Sequence, residues 1–168
     1  MLFTLIGMPG CGKSCMGRAI SRKLKIPLID VDKRIELSVG MKLQSIIEGY
    51  GVDRFRAIEE ETLLSLYSGP SHAIVSTGGS AVYSQKGMEH FRSLGKIIYL
   101  YCGYDTLLSR LGDFSSRGIV FKEGQSFRGL FDERTPLYEK YADIIVNCDG
   151  NSFPKYHAAV MKVISELM

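Results

Sequence analysis

The stretch "GMPGCGKS" runs from Gly7 to Ser14 and directly follows a short apolar run, Leu2–Ile6. It matches the pattern G-x-x-x-x-G-K followed by Ser or Thr, in which a glycine-rich loop joins a strand to a helix. Such a loop lets backbone N–H groups surround phosphate oxygens, and the positive end of the helix faces the same anion. Lys13 can reach the β- and γ-phosphates, and the Ser14 hydroxyl can bind Mg²⁺. The stretch therefore predicts binding of a nucleoside triphosphate with Mg²⁺.

Length, charge and cysteine content narrow the class of protein. The 168 residues suit a single domain that covers residues 1–168, and a net charge of +3 without a Lys/Arg run does not indicate a nucleic-acid partner. No stretch approaches the ~18 apolar residues of a membrane helix. The apolar N-terminus lacks the basic region of a signal peptide. Four cysteines without a CxxC pair are typical of free thiols in a reducing compartment. We therefore expect a cytoplasmic protein, and a monomer.

Five short apolar runs predict buried strands, because they are continuous rather than alternating, as in a parallel sheet covered on both faces. These runs are Leu2–Ile6, Pro27–Ile29, Ala73–Ser76, Lys96–Tyr101 and Ile144–Asn147. Helical segments are predicted at Lys13–Leu24, Arg54–Tyr67, Ser84–Ser93, Asp105–Leu111, Gln125–Tyr141 and Ser152–Leu167. The alternation of strands with helices predicts the α/β class, with a parallel sheet and right-handed crossovers.

Two aspartates follow the second predicted strand, in "PLIDVDKRIE" (27–36). One interpretation makes Asp32 a helix N-cap. A second starts from the tendency of ligands to gather at the carboxyl ends of parallel strands. If the strand continued that far, alternation would put Asp30 and Asp32 on the same side. One carboxylate could then hold Mg²⁺ through water, and the other could orient or deprotonate a hydroxyl that attacks the γ-phosphate. The two interpretations of Asp32 are compatible.

Two arginines outside the glycine-rich loop are candidates for binding a carboxylate or a phosphate, because a guanidinium group binds either of them bidentately. They are Arg56 in "DRFRAIEEE" and Arg134 in "DERTPLY". The alternative for Arg56 is an ion pair on a helix surface with Glu59 or Glu60. Both interpretations stay open on sequence alone.

The segment Gly112–Gly129 is rich in Gly, Ser and charge and has weak periodicity. Loops of this length are often lids over active sites, and the alternative is a solvated surface loop. Arg110 and Arg117 flank its first half, where they could reach triphosphate charge when the lid closes.

The short motif "STGGS" (76–80) ends the third predicted strand. Its paired glycines, Gly78 and Gly79, would allow a ligand to approach the backbone closely. The alternative is a tight turn between a strand and a helix. Packing or a neutral loop position is the preferred interpretation of Cys11 and Cys15, which flank Lys13, because the sequence offers neither of them a paired base.

Six pieces of the chain, taken in order and spacing, resemble the shikimate kinase family along nearly the whole length. They are "GMPGCGKS" (7–14), "IDVDKRIE" (29–36), "GVDRFRAIEEE" (51–61), "STGGS" (76–80), "RLGDFSSRGIV" (110–120) and "DERTPLYEKYADI" (132–144). The resemblance implies a three-layer α/β/α P-loop kinase of the nucleoside-monophosphate-kinase type, with a five-stranded parallel sheet in the order 2-3-1-4-5. It implies a substrate-binding segment at about residues 32–60 and a mobile lid at about 112–129. The implied reaction is ATP-dependent phosphorylation of the shikimate 3-hydroxyl in aromatic amino-acid biosynthesis.

The same resemblance implies roles for individual residues. The ATP-binding set is Gly10, Cys11, Gly12, Lys13, Ser14, Cys15, Arg110 and Arg117. The acceptor-binding set is Asp32, Arg56, Gly78, Gly79 and Arg134. The implied catalytic residues are Lys13, Asp32 as the base, and Arg117 from the lid. Mg²⁺ would be held by Ser14 and, through water, by Asp30, while Glu59 would hold Arg56 in place.

Three positions differ from the usual pattern of that family: Val52 stands in place of Glu, Ser80 in place of Gly, and Gly118 in place of Pro. Ser80 could narrow the pocket or donate a hydrogen bond, and Val52 removes a carboxylate near the arginines. The acceptor therefore stays open, since another small hydroxy acid such as homoserine would also offer a carboxylate to Arg56 and Arg134. A nucleotide kinase or a gluconate-kinase-like enzyme fits these motifs less well. A non-catalytic nucleotide-binding switch would not need the base, the arginines or the lid.

Overall fold

A computed structural model describes residues 1–67, 69, 72–112, 119–150 and 152–168. Its sheet has five strands: β1 (Leu2–Ile6), β2 (Leu28–Asp30), β3 (Ala73–Ser76), β4 (Gly95–Tyr101) and β5 (Ile144–Asn147). All neighbouring strands pair in parallel, and their order is β2-β3-β1-β4-β5. The predicted parallel sheet and its 2-3-1-4-5 order are both confirmed.

Helices flank this sheet on both faces. They are α1 (Lys13–Leu24), α2 (Val31–Val39), α3 (Leu43–Leu64), α4 (Gln85–Leu94), α5 (Tyr104–Leu111), α6 (Phe127–Tyr141) and α7 (Phe153–Leu167), and a 3₁₀ turn spans Ala81–Tyr83. Right-handed crossovers that run in opposite directions across a sheet lie on opposite faces. The chain moves from β1 toward one edge through α1, and from β3 toward the other edge through α4. The result is the predicted three-layer α/β/α architecture.

The strand β1 lies at the centre of the sheet and is buried along its whole length. Because β1 pairs with β3 so that Leu5 stands opposite Ser76, the two strands end at the same level. The glycine-rich loop that follows β1 and the "TGGS" loop that follows β3 therefore emerge side by side. A sheet of this kind gathers its ligands at this edge.

The strand β2 ends at Asp30, whereas the predicted placement of Asp30 and Asp32 on one side of a strand requires it to continue to Asp32. The helix α2 begins at Val31, so the alternation that would have placed Asp30 and Asp32 on one side of a strand does not apply. The N-cap of α2 is Asp30, whose Oδ1 accepts a hydrogen bond from the backbone N–H of Lys33 at 3.2 Å. The interpretation of Asp32 as the N-cap is wrong, and Asp32 lies instead in the first turn of the helix.

The third helix is longer than predicted. It begins at Leu43, eleven residues before the predicted start at Arg54, and its backbone departs from helical geometry at Gly51, where φ is 80° and ψ is 166°. This left-handed conformation is one that glycine adopts readily. The kink separates two helical parts, and the second part buries Phe55, Glu59 and Leu63 along one face.

Candidate active site

A cavity of about 440 Å³ opens beside the loops that follow β1 and β3. Its lining comes from the glycine-rich loop, the first turns of α1 and α2, the start of α3, the loop after β3, the segment before α6, and α6 itself. The lining residues are Pro9, Gly10, Gly12, Lys13, Ser14, Cys15, Asp32, Leu43, Thr77, Gly78, Gly79, Ser80, Ile119, Val120 and Arg134. The cavity thus brings together predicted ATP-binding and acceptor-binding residues.

The glycine-rich loop is held mainly by contacts within itself. Lys13 Nζ donates hydrogen bonds to the carbonyl oxygens of Gly7, at 2.7 Å, and Met8, at 3.0 Å. The backbone N–H of Cys11 donates to the Met8 carbonyl at 3.2 Å. A Cβ on Gly10, where φ is 85°, would lie 2.8 Å from Cγ of Leu111. The loop therefore curls tightly around the Lys13 ammonium group, and Gly10 cannot carry a side chain without strain.

The start of α1 faces the cavity, since Gly12, Lys13, Ser14 and Cys15 all line it. The first backbone N–H groups of a helix have no intrahelical acceptor and carry the positive end of the helix dipole. No acidic residue lies in the first turn of α1 to compete for them. This end of the cavity suits a phosphate group.

The two cysteines of the loop differ in environment. Cys11 is fully buried, and burial raises the pKa of its thiol above the ordinary value. Cys15 is exposed, and its sulfur accepts a hydrogen bond from Arg18 Nη2 at 3.4 Å. Packing accounts for Cys11, as the sequence indicated, whereas Cys15 lies in the first turn of α1 and lines the cavity.

Arg110 contacts residues beside the glycine-rich loop rather than the loop itself, and it does not line the cavity. Its Nη1 donates to the sulfur of Cys102 at 3.3 Å, and its guanidinium carbon lies 5.8 Å from the ring centroid of Tyr156. The Tyr156 hydroxyl in turn lies 3.7 Å from the place that a Cβ on Gly12 would occupy. One aromatic ring therefore separates Arg110 from the loop. Arg117 and Gly118 lie outside the residues that the structure describes, as does most of the first half of the predicted lid.

The two aspartates point to different sites. Asp30 caps α2 and lines a separate surface groove rather than the cavity, whereas Asp32 lines the cavity. Within the described part of the chain, the buried Oδ1 of Asp32 has no hydrogen-bond partner. Burial, and then the nearby charge of Asp30, raise the pKa of Asp32 to about 6. A buried carboxylate oxygen without a protein partner is a strong acceptor for a substrate hydroxyl.

The loop after β3 needs its glycines for space. A Cβ on Gly78 would lie 2.7 Å from Oδ1 of Asp32 and 3.0 Å from Oε1 of Glu59. A Cβ on Gly79 would lie 2.9 Å from Nη1 of Arg134. Two carboxylates and a guanidinium group of the protein therefore lie close to this stretch of backbone and leave no room for side chains at Gly78 and Gly79.

Arg134 is the largest fully buried side chain among the described residues, with 1% of its surface exposed. Its Nη2 donates to the carbonyl of Val120 at 3.1 Å, and its Nε donates to the Tyr83 hydroxyl at 3.3 Å. Tyr138, one turn further along α6, donates to the carbonyl of Gly79 at 2.7 Å. Because a buried guanidinium group needs compensating anions or acceptors, a carboxylate in the cavity suits this one.

Glu59 is also buried, and its partner is Ser80. The Ser80 hydroxyl lies 2.9 Å from Oε1 of Glu59 and 2.8 Å from Oε2, so it donates to the carboxylate. Burial raises the pKa of Glu59 to about 7, although the hydrogen bond from Ser80 lowers it. Ser80 therefore donates a hydrogen bond, one of the two outcomes expected of this departure from the family pattern.

Arg56 does not form the surface ion pair that was the alternative interpretation. No nitrogen of Arg56 lies within 4.0 Å of a carboxylate oxygen of Glu59 or Glu60, and Glu60 instead accepts from Ser84. The Arg56 guanidinium carbon lies 4.3 Å from the ring centroid of Tyr83. Its buried Nε has no hydrogen-bond partner among the residues described. The expected role of Glu59 in holding Arg56 is reduced to an electrostatic attraction, which lowers the pKa of Glu59.

Sequence reasoning did not single out Leu43, Ile119 or Val120, although the predicted substrate segment (about 32–60) and lid (about 112–129) contain them, and it did not name Tyr83. Leu43 begins the first part of α3. Gly49 and Gly51 interrupt the sequence there, so no repeat of apolar residues at helical spacing indicated a helix. Ile119 and Val120 belong to a segment without periodicity. Tyr83 lies in a 3₁₀ turn too short to give any periodic signal.

Similarity to known proteins covers most of the chain. A family model described as shikimate kinase matches residues 9–167. The shikimate kinase of Xanthomonas campestris pv. campestris (strain 8004) is 34% identical over 147 residues, which make up 86% of this chain and 81% of that protein. That of Thermodesulfovibrio yellowstonii is 32% identical over 148 residues, 87% of this chain and 84% of that protein. The structure of shikimate kinase from Acinetobacter baumannii in complex with shikimate matches with a TM-score of 0.87 at 26% identity, covering 98% of this chain and 93% of that one.

Proposed function

The chain belongs to the shikimate kinase family, and we propose that it transfers the γ-phosphoryl group of ATP to the 3-hydroxyl of shikimate. The product is shikimate 3-phosphate, an intermediate of aromatic amino-acid biosynthesis. The observation that carries the proposal is the single cavity lined by Lys13, Asp32 and Arg134. These three side chains supply a phosphate-binding cation, a candidate base and a carboxylate-binding cation.

At the phosphate end, Lys13 and the first turn of α1 bind the nucleotide. In the proposed complex the Lys13 ammonium group exchanges the carbonyl oxygens of Gly7 and Met8 for oxygens of the β- and γ-phosphates. Backbone N–H groups of the loop donate to the same phosphates. Positive groups fixed in place before the reaction stabilise the charge that moves onto the leaving phosphate.

At the acceptor end, Asp32 orients the attacking hydroxyl and accepts its proton. The hydroxyl oxygen forms a new bond to the γ-phosphorus while the bond between that phosphorus and the β,γ-bridging oxygen breaks, which releases ADP. With a pKa of about 6, Asp32 is mostly ionised at neutral pH and can accept the proton. Its partnerless Oδ1 is the natural acceptor.

Two arginines, Arg56 and Arg134, would bind the carboxylate of the acceptor, and we call them the carboxylate clamp. Both approach Tyr83, and Arg134 also lines the cavity next to Gly79. A bidentate pairing of guanidinium and carboxylate fixes the plane of the acid as well as its charge. The clamp would thereby direct the acceptor hydroxyl toward Asp32 and the phosphate end.

The cavity also suits Mg²⁺. The Ser14 side chain lines it beside Lys13, and Mg²⁺ in kinases is usually held by one or two protein oxygens, phosphates and water. When bound, the ion neutralises charge on the phosphates. Ser14 would be its direct ligand, and Asp30, which does not itself line the cavity, would contribute only through water. Arg117 from the lid would complete the catalytic set.

An assay of ADP release tests the proposal. The protein with MgATP is given shikimate, homoserine, gluconate or AMP, beside a sample without acceptor. We expect saturable turnover with shikimate. Turnover with homoserine in its place would mean that Ser80 and Val52 mark a different acceptor pocket. ATP binding without turnover on any acceptor would favour the nucleotide-binding switch instead.

The cellular setting is also part of the proposal. Among the described residues, no helix has the length and apolar character that a membrane span requires. We propose a cytoplasmic monomer, which acts on a small-molecule acceptor. Light scattering coupled to size-exclusion chromatography tests the monomer, with a mass near 18.7 kDa expected.

A further inference from the structure

One aromatic side chain outside the mechanism above contacts both members of the carboxylate clamp. The guanidinium carbon of Arg56 lies 4.3 Å from the ring centroid of Tyr83, and that of Arg134 lies 5.3 Å from the same centroid. Both distances are within the range in which an aromatic ring attracts a cation. The Tyr83 hydroxyl also accepts a hydrogen bond from Arg134 Nε at 3.3 Å. Tyr83 is thus a shared support for two cations.

Tyr83 is itself held by a second set of contacts. Its hydroxyl donates to Oε1 of Glu133, and Oε2 of Glu133 accepts from Lys122 Nζ at 2.8 Å and from Gln125 Nε2 at 3.2 Å. The hydrogen bond from Lys122 holds the pKa of Glu133 below its ordinary value, so this carboxylate stays charged. Burial raises the pKa of the Tyr83 hydroxyl, so it stays protonated and can donate. The hydroxyl therefore donates to Glu133 while it accepts from Arg134.

The clamp needs such support because its two members carry the same charge. Like charges that converge on one pocket repel each other, and the repulsion grows as water is excluded. Arg134 has a further anchor in the Val120 carbonyl. Arg56 has no such anchor at Nε, which is buried without a hydrogen-bond partner among the described residues. Besides the electrostatic attraction of Glu59, the contact that orients Arg56 is therefore the Tyr83 ring.

We propose that Tyr83 is a positioning residue for the acceptor: its ring and hydroxyl hold Arg56 and Arg134 in the orientation that binds the acceptor carboxylate. This inference rests on the proposed function, since it takes the two arginines to be the groups that bind that carboxylate. Tyr83 would act through the arginines without touching the reacting atoms. Its loss should therefore weaken acceptor binding and leave the transfer step largely intact.

The experiment compares Tyr83→Phe and Tyr83→Leu with the wild type on two acceptors, shikimate and its uncharged primary amide. We expect Tyr83→Phe, which keeps the ring, to raise the KM for shikimate about 5-fold, and Tyr83→Leu to raise it about 20-fold. The kcat and the KM for ATP should stay within about 2-fold. The ratio of kcat/KM for shikimate to kcat/KM for the amide should fall by the same factor as the KM for shikimate rises. The matched control is Tyr67→Phe, because the Tyr67 side chain is 77% exposed and lies outside the site.

Each other outcome overturns a definite part of the inference. A wild type that does not phosphorylate shikimate overturns the proposed function, and the clamp with it. A wild type that turns over shikimate while both Tyr83 variants keep its preference for the acid overturns the role of Tyr83 alone. The same holds if kcat falls and the KM for shikimate does not change. If circular dichroism indicates that Tyr83→Leu is unfolded, Tyr83→Phe decides the matter by itself.

Discussion

The two ends of the cavity are built in different ways. The phosphate end comes from one continuous stretch, Gly7–Cys15, whose lysine is satisfied by carbonyl oxygens of the same loop. The acceptor end is lined by residues of α2, the start of α3, the loop after β3 and α6, among them Asp32, whose Oδ1 has no partner within the described residues. Arg56, whose buried Nε is also without a partner there, does not line the cavity and packs against Tyr83. The phosphate end is a local motif, and the acceptor end exists only when distant parts of the chain meet.

This difference has energetic consequences. A loop closed on itself can keep its shape through backbone geometry, so its chemistry depends on a few glycines and one cation. The acceptor end concentrates buried charge, and burial raises the pKa of both Asp32 and Glu59. Buried groups of this kind lower stability unless they are paired, and they are often found where a substrate binds. The two ends should therefore respond differently to substitution.

The largest effect should follow removal of the cation from the phosphate end. We expect Lys13→Met to lower kcat about 10³-fold, because a fixed positive charge at the transferring phosphate is lost. Steady-state ADP release measures this. The matched control is Lys23→Met on the exposed side of the same helix, which should leave kcat unchanged. A Lys13→Met enzyme with nearly full kcat would remove Lys13 from the mechanism.

The next effect belongs to the base at the acceptor end. We expect Asp32→Asn to lower kcat about 10²-fold while ATP binding is kept, because the amide cannot accept the proton. In the wild type, kcat/KM should rise with pH and level off above about 6, since Asp32 is protonated below its pKa. Asp105→Asn, on the exposed start of α5, is the control. A pH profile that is flat between 5 and 8 would count against Asp32 as the base.

The third effect concerns stability. The folded protein binds a proton at Glu59 more tightly than the unfolded chain does, because the pKa is raised to about 7. The resulting stabilisation is complete below the unfolded value and is lost as the pH rises through about 7. Relative to Glu59→Gln, the wild type should lose about 3 kcal/mol of unfolding free energy between pH 4.5 and 8.

Urea denaturation of both proteins at several pH values measures this difference. Glutamine keeps an acceptor oxygen for Ser80 but cannot ionise, which makes Glu59→Gln a suitable reference. Parallel stability curves for the two proteins would mean that Glu59 keeps an ordinary pKa. The burial of Glu59 would then not lower the free energy of unfolding as the pH rises.

The smallest effect tests the close approach at the acceptor end. We expect Gly79→Ala to raise the KM for shikimate about 10-fold, because the new methyl group would lie 2.9 Å from Arg134 Nη1 and displace the guanidinium group. Gly49→Ala is the matched control, since a Cβ there meets nothing within 4 Å. It should leave the KM unchanged and add about 0.5–1 kcal/mol of stability in the helix. If Gly79→Ala and Gly49→Ala had equal KM values for shikimate, the methyl group at position 79 would not displace the Arg134 guanidinium group.

Much of the fold was predictable because its signals are local. The strands β1, β3 and β5 and the helix α1 have the predicted bounds, since each is a continuous apolar run or begins at a recognised loop. Errors occurred where local signals compete. Two aspartates stand one residue apart in "IDVD", and the position of the first helical residue decided that Asp30, rather than Asp32, is the cap.

The sequence by itself determined the glycine-rich part of the phosphate end, because the groups from Gly7 to Cys15 lie within nine residues and their spacing already fixes which of them meet. It also named Asp32, Arg56 and Arg134 as candidates from their residue types and positions, and the family resemblance added their roles. Their partners came from the tertiary structure: Ser80 bonds Glu59 across 21 positions, and Arg134 bonds Tyr83 across 51. Contacts between residues so far apart depend on how helices and loops pack against the sheet, and no local period or spacing encodes them.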